Sequence, residues 1–252
     1  MIHRTIPDTI HPPEVVLRDG PIVIICEHAS RHIPEVYAGL GATEEARTGH
    51  TAWDPGARGL ALGLAERLDA SMVAATVSRL VYDCNRPPDA PSAMPTSSEV
   101  HAIPGNQGLD PAEKSARTSA IYAPFHQAVA DVLCARTAPV IVTIHSFTPV
   151  YHGRFRPLDL GVLHDTDSRL ADAMLAQPSG EKTIERNAPY GAADGVTHTL
   201  QRHALAAKIP NVMLELRNDL IASPAQQDDW AAFLASRITT ALAQLEARCP
   251  QP

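Results

Sequence analysis

Four groups of polar residues stand out because each closes an apolar, β-branched run. Glu27 and His28 end PIVIICEHAS (21–30), and Asp83, Asn85 and Arg86 end SMVAATVSRLVYDCNRPPD (71–89). His145 and Ser146 end APVIVTIHSFTP (138–149), while Glu215, Arg217 and Asn218 end IPNVMLELRND (209–219). One histidine after a strand is commonly a satisfied structural residue. Four strands delivering His, Asn/Arg, His and Glu to one sheet edge are hard to explain by packing, and that edge is where open α/β sheets build ligand sites. Two neutral imidazoles and a carboxylate make an open zinc site with a position left for water. Zinc lowers the pKa of that water and polarises a carbonyl, and a further carboxylate can serve as general base. Arginine adds paired, planar hydrogen bonds to a substrate carboxylate that lysine does not reproduce. Arg79, Arg86 and Arg217, with Asn85 beside them, suit a small anionic substrate.

The elements that must position these residues alternate. Buried strands are predicted within 21–30, 71–89 (one or two strands, stopped by Pro87-Pro88), 138–149, 158–165 and 209–219. Helical periodicity occupies 54–69, 110–136, 168–177, 197–208 and the alanine-rich 224–248. Asp54-Pro55 suits a helix start, with Asp54 as cap and Pro55 in the first turn. Near-continuous apolar strands alternating with helices predict a single-domain α/β fold, a mostly parallel or mixed sheet with helices on both faces. The Pro-, Ser- and Gly-containing segment 87–109 is too long for a turn and reads as a binding loop.

Composition excludes other classes. The 252 residues are 44% hydrophobic, enough for one full core. A net charge of −7 argues against general nucleic-acid binding, and 4% aromatic residues offer no stacking platform for single strands. No stretch approaches the roughly 20 apolar residues that cross a bilayer, and the N-terminal MIHRTIPDTIHPPEVVLRDG has no signal-peptide core. Cys26, Cys84, Cys134 and Cys249 lack close pairing, so they read as reduced thiols of a cytoplasmic protein.

Six stretches carry a resemblance: CEHASRHIP (26–34), HTAWDPGA (50–57), SRLVYDCNRPPDAPSAMP (78–95), IHSFTPVYHG (144–153), YGAADGVTHT (190–199) and LELRNDLI (214–221). Together and in this order they resemble the N-formylglutamate amidohydrolase family over nearly the whole chain. The resemblance implies a fold like that of zinc carboxypeptidases and aspartoacylases. It also implies hydrolysis of a small anionic N-acyl amino acid, N-formyl-L-glutamate giving formate and glutamate. Asp-x-Asn-Arg at 83–86 is similar to the aspartoacylase motif whose Asn-Arg pair holds the substrate carboxylate, and Glu215 falls where that superfamily keeps its catalytic carboxylate. Its His-x-x-Glu ligand motif occurs literally at His32–Glu35, but past the strand end and through Pro34, so it reads as a loop. His28 and His145 are the better ligands, with Asp54 as the carboxylate and Glu27 the alternative. Zinc is the expected ion, although His/Asp sites accept other divalent metals.

Other residues keep two readings. Ser146 either meets the ligand or satisfies a strand-end amide. His50 either orients Asp54 or is exposed, and His198 either joins the site or opens a helix. Tyr151 and His152 read as surface loop, and Arg31, Arg154 and Arg156 as solvated. Two competing functions remain at this point. One is a metal-free hydrolase using Ser30 or Cys26, for which no Gly-x-Ser-x-Gly elbow exists. The other is a non-catalytic binder of an acidic metabolite.

Overall fold

The computed structural model describes residues 10–248; residues 1–9 and 249–252, Cys249 among them, lie outside the described residues. In chain order come β1 (Glu14–Val16), β2 (Ile22–Cys26), α1 (Glu44–Thr48), α2 (Ala57–Arg67) and β3 (Ser71–Ala74). A small hairpin β4 (Ser97–Ser98) and β5 (His101–Ala102) precedes α3 (Pro111–Arg117) and α4 (Ala123–Cys134). Then follow β6 (Val140–Phe147), a second hairpin β7 (Val150–Tyr151) and β8 (Arg154–Phe155), β9 (Leu160–Leu163) and α5 (Arg169–Leu175). The chain closes with β10 (Ile184–Arg186), α6 (His198–Leu200), β11 (Asn211–Arg217) and α7 (Pro224–Arg248).

Seven strands form one mixed sheet in the order β1-β3-β2-β6-β11-β9-β10. The central four run parallel, whereas β1 and β9 pair antiparallel with their inner neighbours. Strands β2, β6 and β11 are buried along their whole length, because both faces are covered; that is why they read as continuous apolar runs. Alternation sorts their side chains. Ile24, Val142 and Leu214 join the layer of α2, α5 and α7, while Ile25, Ile141 and Met213 join the layer of α4. Leu64 of α2 is fully buried there, and cutting it to Ala is worth about 2–5 kcal/mol. Among the described residues, no helix is long and apolar enough to cross a membrane.

The sequence reading departs from the structure in three places. The strand predicted over 71–89 ends at Ala74. Beyond it, Ser78 N–H donates to the His32 carbonyl at 2.7 Å, and the Ser78 hydroxyl donates to the Ala52 carbonyl at 2.8 Å. These bonds draw the chain off the sheet, so Val77, Leu80, Val81 and Tyr82 are buried in the α4 layer without being a strand. Apolar runs report burial, not ladder pairing. Asp83, Asn85 and Arg86 therefore sit on a folded loop. The second departure is Asp54, which does not cap α2. Gly56 does, at φ 82°, where a Cβ would lie 2.3 Å from the Ile221 carbonyl oxygen. Glycine alone fits that left-handed turn, which leaves Asp54 before the helix with its side chain free for the strand ends. Third, the helix predicted over 110–136 contains a π-turn at 118–122, two residues before Pro124. The wider turn sits where proline removes a backbone donor.

Candidate active site

His28 lies two residues past β2, and His145 stands in β6 opposite Glu215 of β11 in the ladder register. Asp54 is pinned to them through its backbone, whose N–H donates to the His28 carbonyl at 2.9 Å. Its carboxylate Oδ2 lies 3.2 Å from His28 Nδ1 and 3.0 Å from His145 Nδ1, and the two Nδ1 atoms are 3.2 Å apart. The Ser146 N–H donates to the same Oδ2 at 3.2 Å, and the Ser146 hydroxyl is spent on the Pro55 carbonyl. Behind this cluster stand two more buried carboxylates. His28 Nε2–H donates to Asp83 Oδ1 at 2.7 Å, and His145 Nε2 forms an ion pair with Glu27 Oε2 at 3.1 Å.

Each ring thus has a carboxylate on both nitrogens, Asp54 on the Nδ1 side and Asp83 or Glu27 on the Nε2 side. When a neutral ring donates its Nε2–H to the carboxylate behind it, its Nδ1 lone pair faces Asp54 Oδ2, and three electron-pair donors converge within 4.8 Å of one another. Such a group repels itself until a cation enters it. Imidazoles held from behind by carboxylates are the usual build of a metal centre, so His28, Asp54 and His145 fit a divalent ion. Glu27 serves as the support of His145 instead. His32 and Glu35 line a separate depression and stand outside the cluster.

Without a cation, the surrounding carboxylates favour a protonated His145. Burial opposes charging of His145, yet the carboxylates of Glu27 and Asp54 outweigh it and hold its pKa well above the ordinary value. Burial would raise Asp83, but His28 and Arg79 pull it well below the usual carboxylate range. Glu215 behaves oppositely. Burial dominates there, its Oε2 is buried without a hydrogen-bond partner, and its pKa is pushed up to about 7.

A cavity of about 330 Å³ opens above the cluster, lined by His28, Asp54, Arg79, Asn85, Arg86, His145, Ser146 and Glu215. Within it, Arg79 is largely committed, donating to Asp54 Oδ1 at 3.4 Å and to Asp83 Oδ2 at 3.2 Å. Asn85 ties down the 196–199 turn, donating to the Val196 carbonyl and accepting from the Thr199 N–H. Arg86 spends one donor on the Asn85 carbonyl. Arg217 does not line the cavity; its guanidinium is bound by Asp219, Asp159 and the carbonyls of Arg156 and Leu158. A strand-end arginine thus went to the sheet edge, where carboxylates on neighbouring turns are closer than the cavity.

Several residues gain a place that the sequence did not give them. Tyr151 and Tyr190 line the cavity, and Arg156, read as solvated, stacks over Tyr151 and donates to the Tyr190 hydroxyl. His50 also lines it, paired with Glu99 at 2.9 Å rather than with Asp54. His198 instead bonds the Tyr122 hydroxyl at 2.9 Å, outside the cavity lining. Cys26 is fully buried, and burial together with Asp54 and Glu27 raises its pKa well above the usual thiol value, which disfavours a nucleophilic thiolate. The Ser30 hydroxyl accepts from the His32 N–H and lines the separate depression.

A parallel-cored α/β sheet with imidazoles, carboxylates and arginines gathered under a cavity at its strand ends has the chemistry of a hydrolytic site for a small polar substrate. The sequence profile of the N-formylglutamate amidohydrolase family matches residues 20–222, and the chain belongs to that family. It is accordingly an amidohydrolase, and the family supports hydrolysis of N-formylglutamate in general. The crystal structure of gene product Atu2144 from Agrobacterium tumefaciens is similar to it at 51% identity and a TM-score of 0.91, over 93% of this chain and 96% of that one. N-formylglutamate amidohydrolase from Ralstonia eutropha shares the fold at 19% identity and a TM-score of 0.62, over 94% of this chain and 97% of that one. No curated protein matches the sequence.

Proposed function

We propose that the protein is a metal-dependent amidohydrolase of a small N-acyl amino acid, with N-formyl-L-glutamate, giving formate and L-glutamate, as the reaction to test first. The observation that carries this reading is the convergence of His28 Nδ1, His145 Nδ1 and Asp54 Oδ2 below a cavity that Glu215 also lines. His28, Asp54 and His145 would hold zinc or another divalent ion, which supplies Lewis acidity toward water and the scissile carbonyl. Glu215 takes the proton of the attacking water and returns it to the departing amine nitrogen; a carboxyl titrating near 7 is suited to both transfers. Arg86 pairs with the substrate carboxylate. Arg79 and the Ser146 N–H hold Asp54 in place, and the positive charge of Arg79 favours the charge that develops on the carbonyl oxygen. Asn85 orders the 196–199 turn that closes one side. A cytoplasmic location belongs to the same reading, supported by the free thiols of Cys26, Cys84 and Cys134.

The test is elemental analysis of the purified protein together with formate release from N-formyl-L-glutamate before and after chelation. About one divalent ion per chain and chelator-sensitive turnover are expected. In Glu215→Gln, kcat should fall by about 10²–10⁴ while the metal stays bound. A metal-free chain that still hydrolyses the substrate overturns the mechanism.

A further inference from the structure

Three aromatic rings that line the cavity, those of Phe147, Tyr151 and Tyr190, gather around one guanidinium. It belongs to Arg156, whose Cζ lies 4.2 Å from the centre of the Tyr151 ring, 5.3 Å from that of Tyr190 and 5.7 Å from that of Phe147. The residue directly follows β8, and its backbone is fixed on both sides. Its N–H donates to the Pro149 carbonyl at 2.8 Å, and its own carbonyl accepts from Arg217. Arg156 is half-buried, and among the described residues no carboxylate pairs with it. One of its donors is spent on the Tyr190 hydroxyl oxygen at 3.1 Å. The ring faces offset part of the cost of holding this charge out of water, and the remaining donors of the planar fork stay available.

The hydrogen bond to Tyr190 has a consequence for the phenol. An oxygen that accepts from a guanidinium sends its own proton elsewhere, and among the described residues that proton meets no acceptor. Tyr190 lines the cavity, so a bound substrate can supply one. Burial outweighs the Arg156 hydrogen bond and raises the Tyr190 pKa, which keeps the hydroxyl protonated at neutral pH. The acidic residues of the lining's outer part are engaged: Glu99 pairs with His50, and the exposed Asp194 accepts from the Gly191 N–H. Arg79 is committed to Asp54 and Asp83, so Arg86 and the Arg156–Tyr190 pair are the two places where cationic donors are left for a ligand. We propose that Tyr190 and Arg156 form the subsite for the second carboxylate of an N-acyl dicarboxylic amino acid, Tyr190 donating its O–H to that group and Arg156 supplying the opposing charge. Arg86 holds the first carboxylate. Hydrogen bonds to a charged group are the stronger kind, and a neutral isostere leaves the Arg156 charge unanswered, which makes the pair specificity-determining. The inference rests on the amidohydrolase reading and names the residues that recognise the substrate's far end.

N-formyl-L-glutamate and N-formyl-L-glutamine test it, being nearly isosteric and differing in charge. Their kcat/KM values are compared by formate release on the metal-replete wild type, Tyr190→Phe and Arg156→Gln. The wild type should prefer the glutamate derivative by about tenfold or more, and each variant should shrink that preference by at least about threefold, through KM for the glutamate derivative. Activity on the glutamine derivative should stay near the wild-type value in both variants. A wild type without the preference overturns the inference, and so does a preference unchanged in either variant; both results leave the amidohydrolase reading standing. An equal loss on the two compounds also overturns it, because a merely structural role weakens both alike. If Arg156→Gln does not fold, Tyr190→Phe, which removes one oxygen and keeps the ring, decides. Turnover of neither compound by the wild type takes down the reading and the inference together.

Discussion

The floor of the cavity and its outer wall are built on different principles. On the floor, His28, Asp54, His145 and Glu215 are at most 5% exposed; His145 and Glu215 stand on strands, His28 lies just past one, and Asp54 lies before α2 with its N–H bound to the His28 carbonyl. Three of the four are also held by a second buried group, whether Asp83, Glu27 or the Ser146 amide. The wall comes from hairpin tips and loops, where Val100 and Phe155 are left 76% and 62% exposed. Reactive groups thus ride on backbone that the sheet register over-determines, and recognition rides on segments free to vary.

The sharpest way to break this contrast is to remove one floor residue. His145→Ala should abolish metal binding and lower kcat/KM on the order of 10⁴-fold, about 5.5 kcal/mol. Elemental analysis and steady-state kinetics on the same sample read both effects. A loss under tenfold with metal retained would move the chemistry off the floor.

A smaller effect tests how dry the floor is. A carboxyl whose folded pKa exceeds its unfolded value binds its proton more tightly when folded, so its stabilising contribution is full below the unfolded pKa and is lost as pH rises through the folded one. For Glu215 that window runs from 4.5 to about 7, and the loss amounts to about 3 kcal/mol. Metal-free wild type should therefore lose more thermal stability between pH 5 and pH 8 than metal-free Glu215→Gln, by about 2–4 °C per kcal/mol. The histidines and the other carboxylates titrate in both proteins and largely cancel in the comparison. Parallel Tm-against-pH curves would mean that Glu215 is well solvated.

Floor and wall also differ in how far they could be read from the residues alone. Strands β2, β6 and β11 announce themselves by continuous apolar runs, and His28, His145 and Glu215 follow from where those runs close. Asp54, in the Ala-Trp-Asp-Pro stretch, reads equally as a helix cap or a ligand, and the cap role goes to Gly56. What stayed hidden was pairing between distant loops. Asp83 reaches His28 across 55 residues only because the chain leaves the sheet at Ala74, a departure that an unbroken apolar run conceals. Glu99 and His50 meet across another such gap. Arg217 and Arg156 lie opposite to their expected places, the first bound by Asp219 and neighbouring carbonyls outside the cavity lining and the second engaged with Tyr151 and Tyr190. No periodicity encodes which carboxylate or ring an arginine finds.

Arg86 lies between the two regions, and its substitution should have the smallest effect of the three. Asn85 beside it is buried and tied to the 196–199 turn, so the backbone at this point belongs to the floor. The guanidinium extends along the cavity lining, which is the wall's territory. Arg86→Lys keeps the positive charge but gives up the planar fork that meets both carboxylate oxygens at once. The lost second hydrogen bond should raise KM for an anionic substrate about tenfold, near 1.4 kcal/mol. Because the carboxylate is bound equally before and during reaction, kcat should stay within about threefold. A fall in kcat with KM unchanged would assign Arg86 to the floor, acting on the reacting carbonyl. No change in either constant would mean that the substrate carboxylate is held elsewhere on the wall.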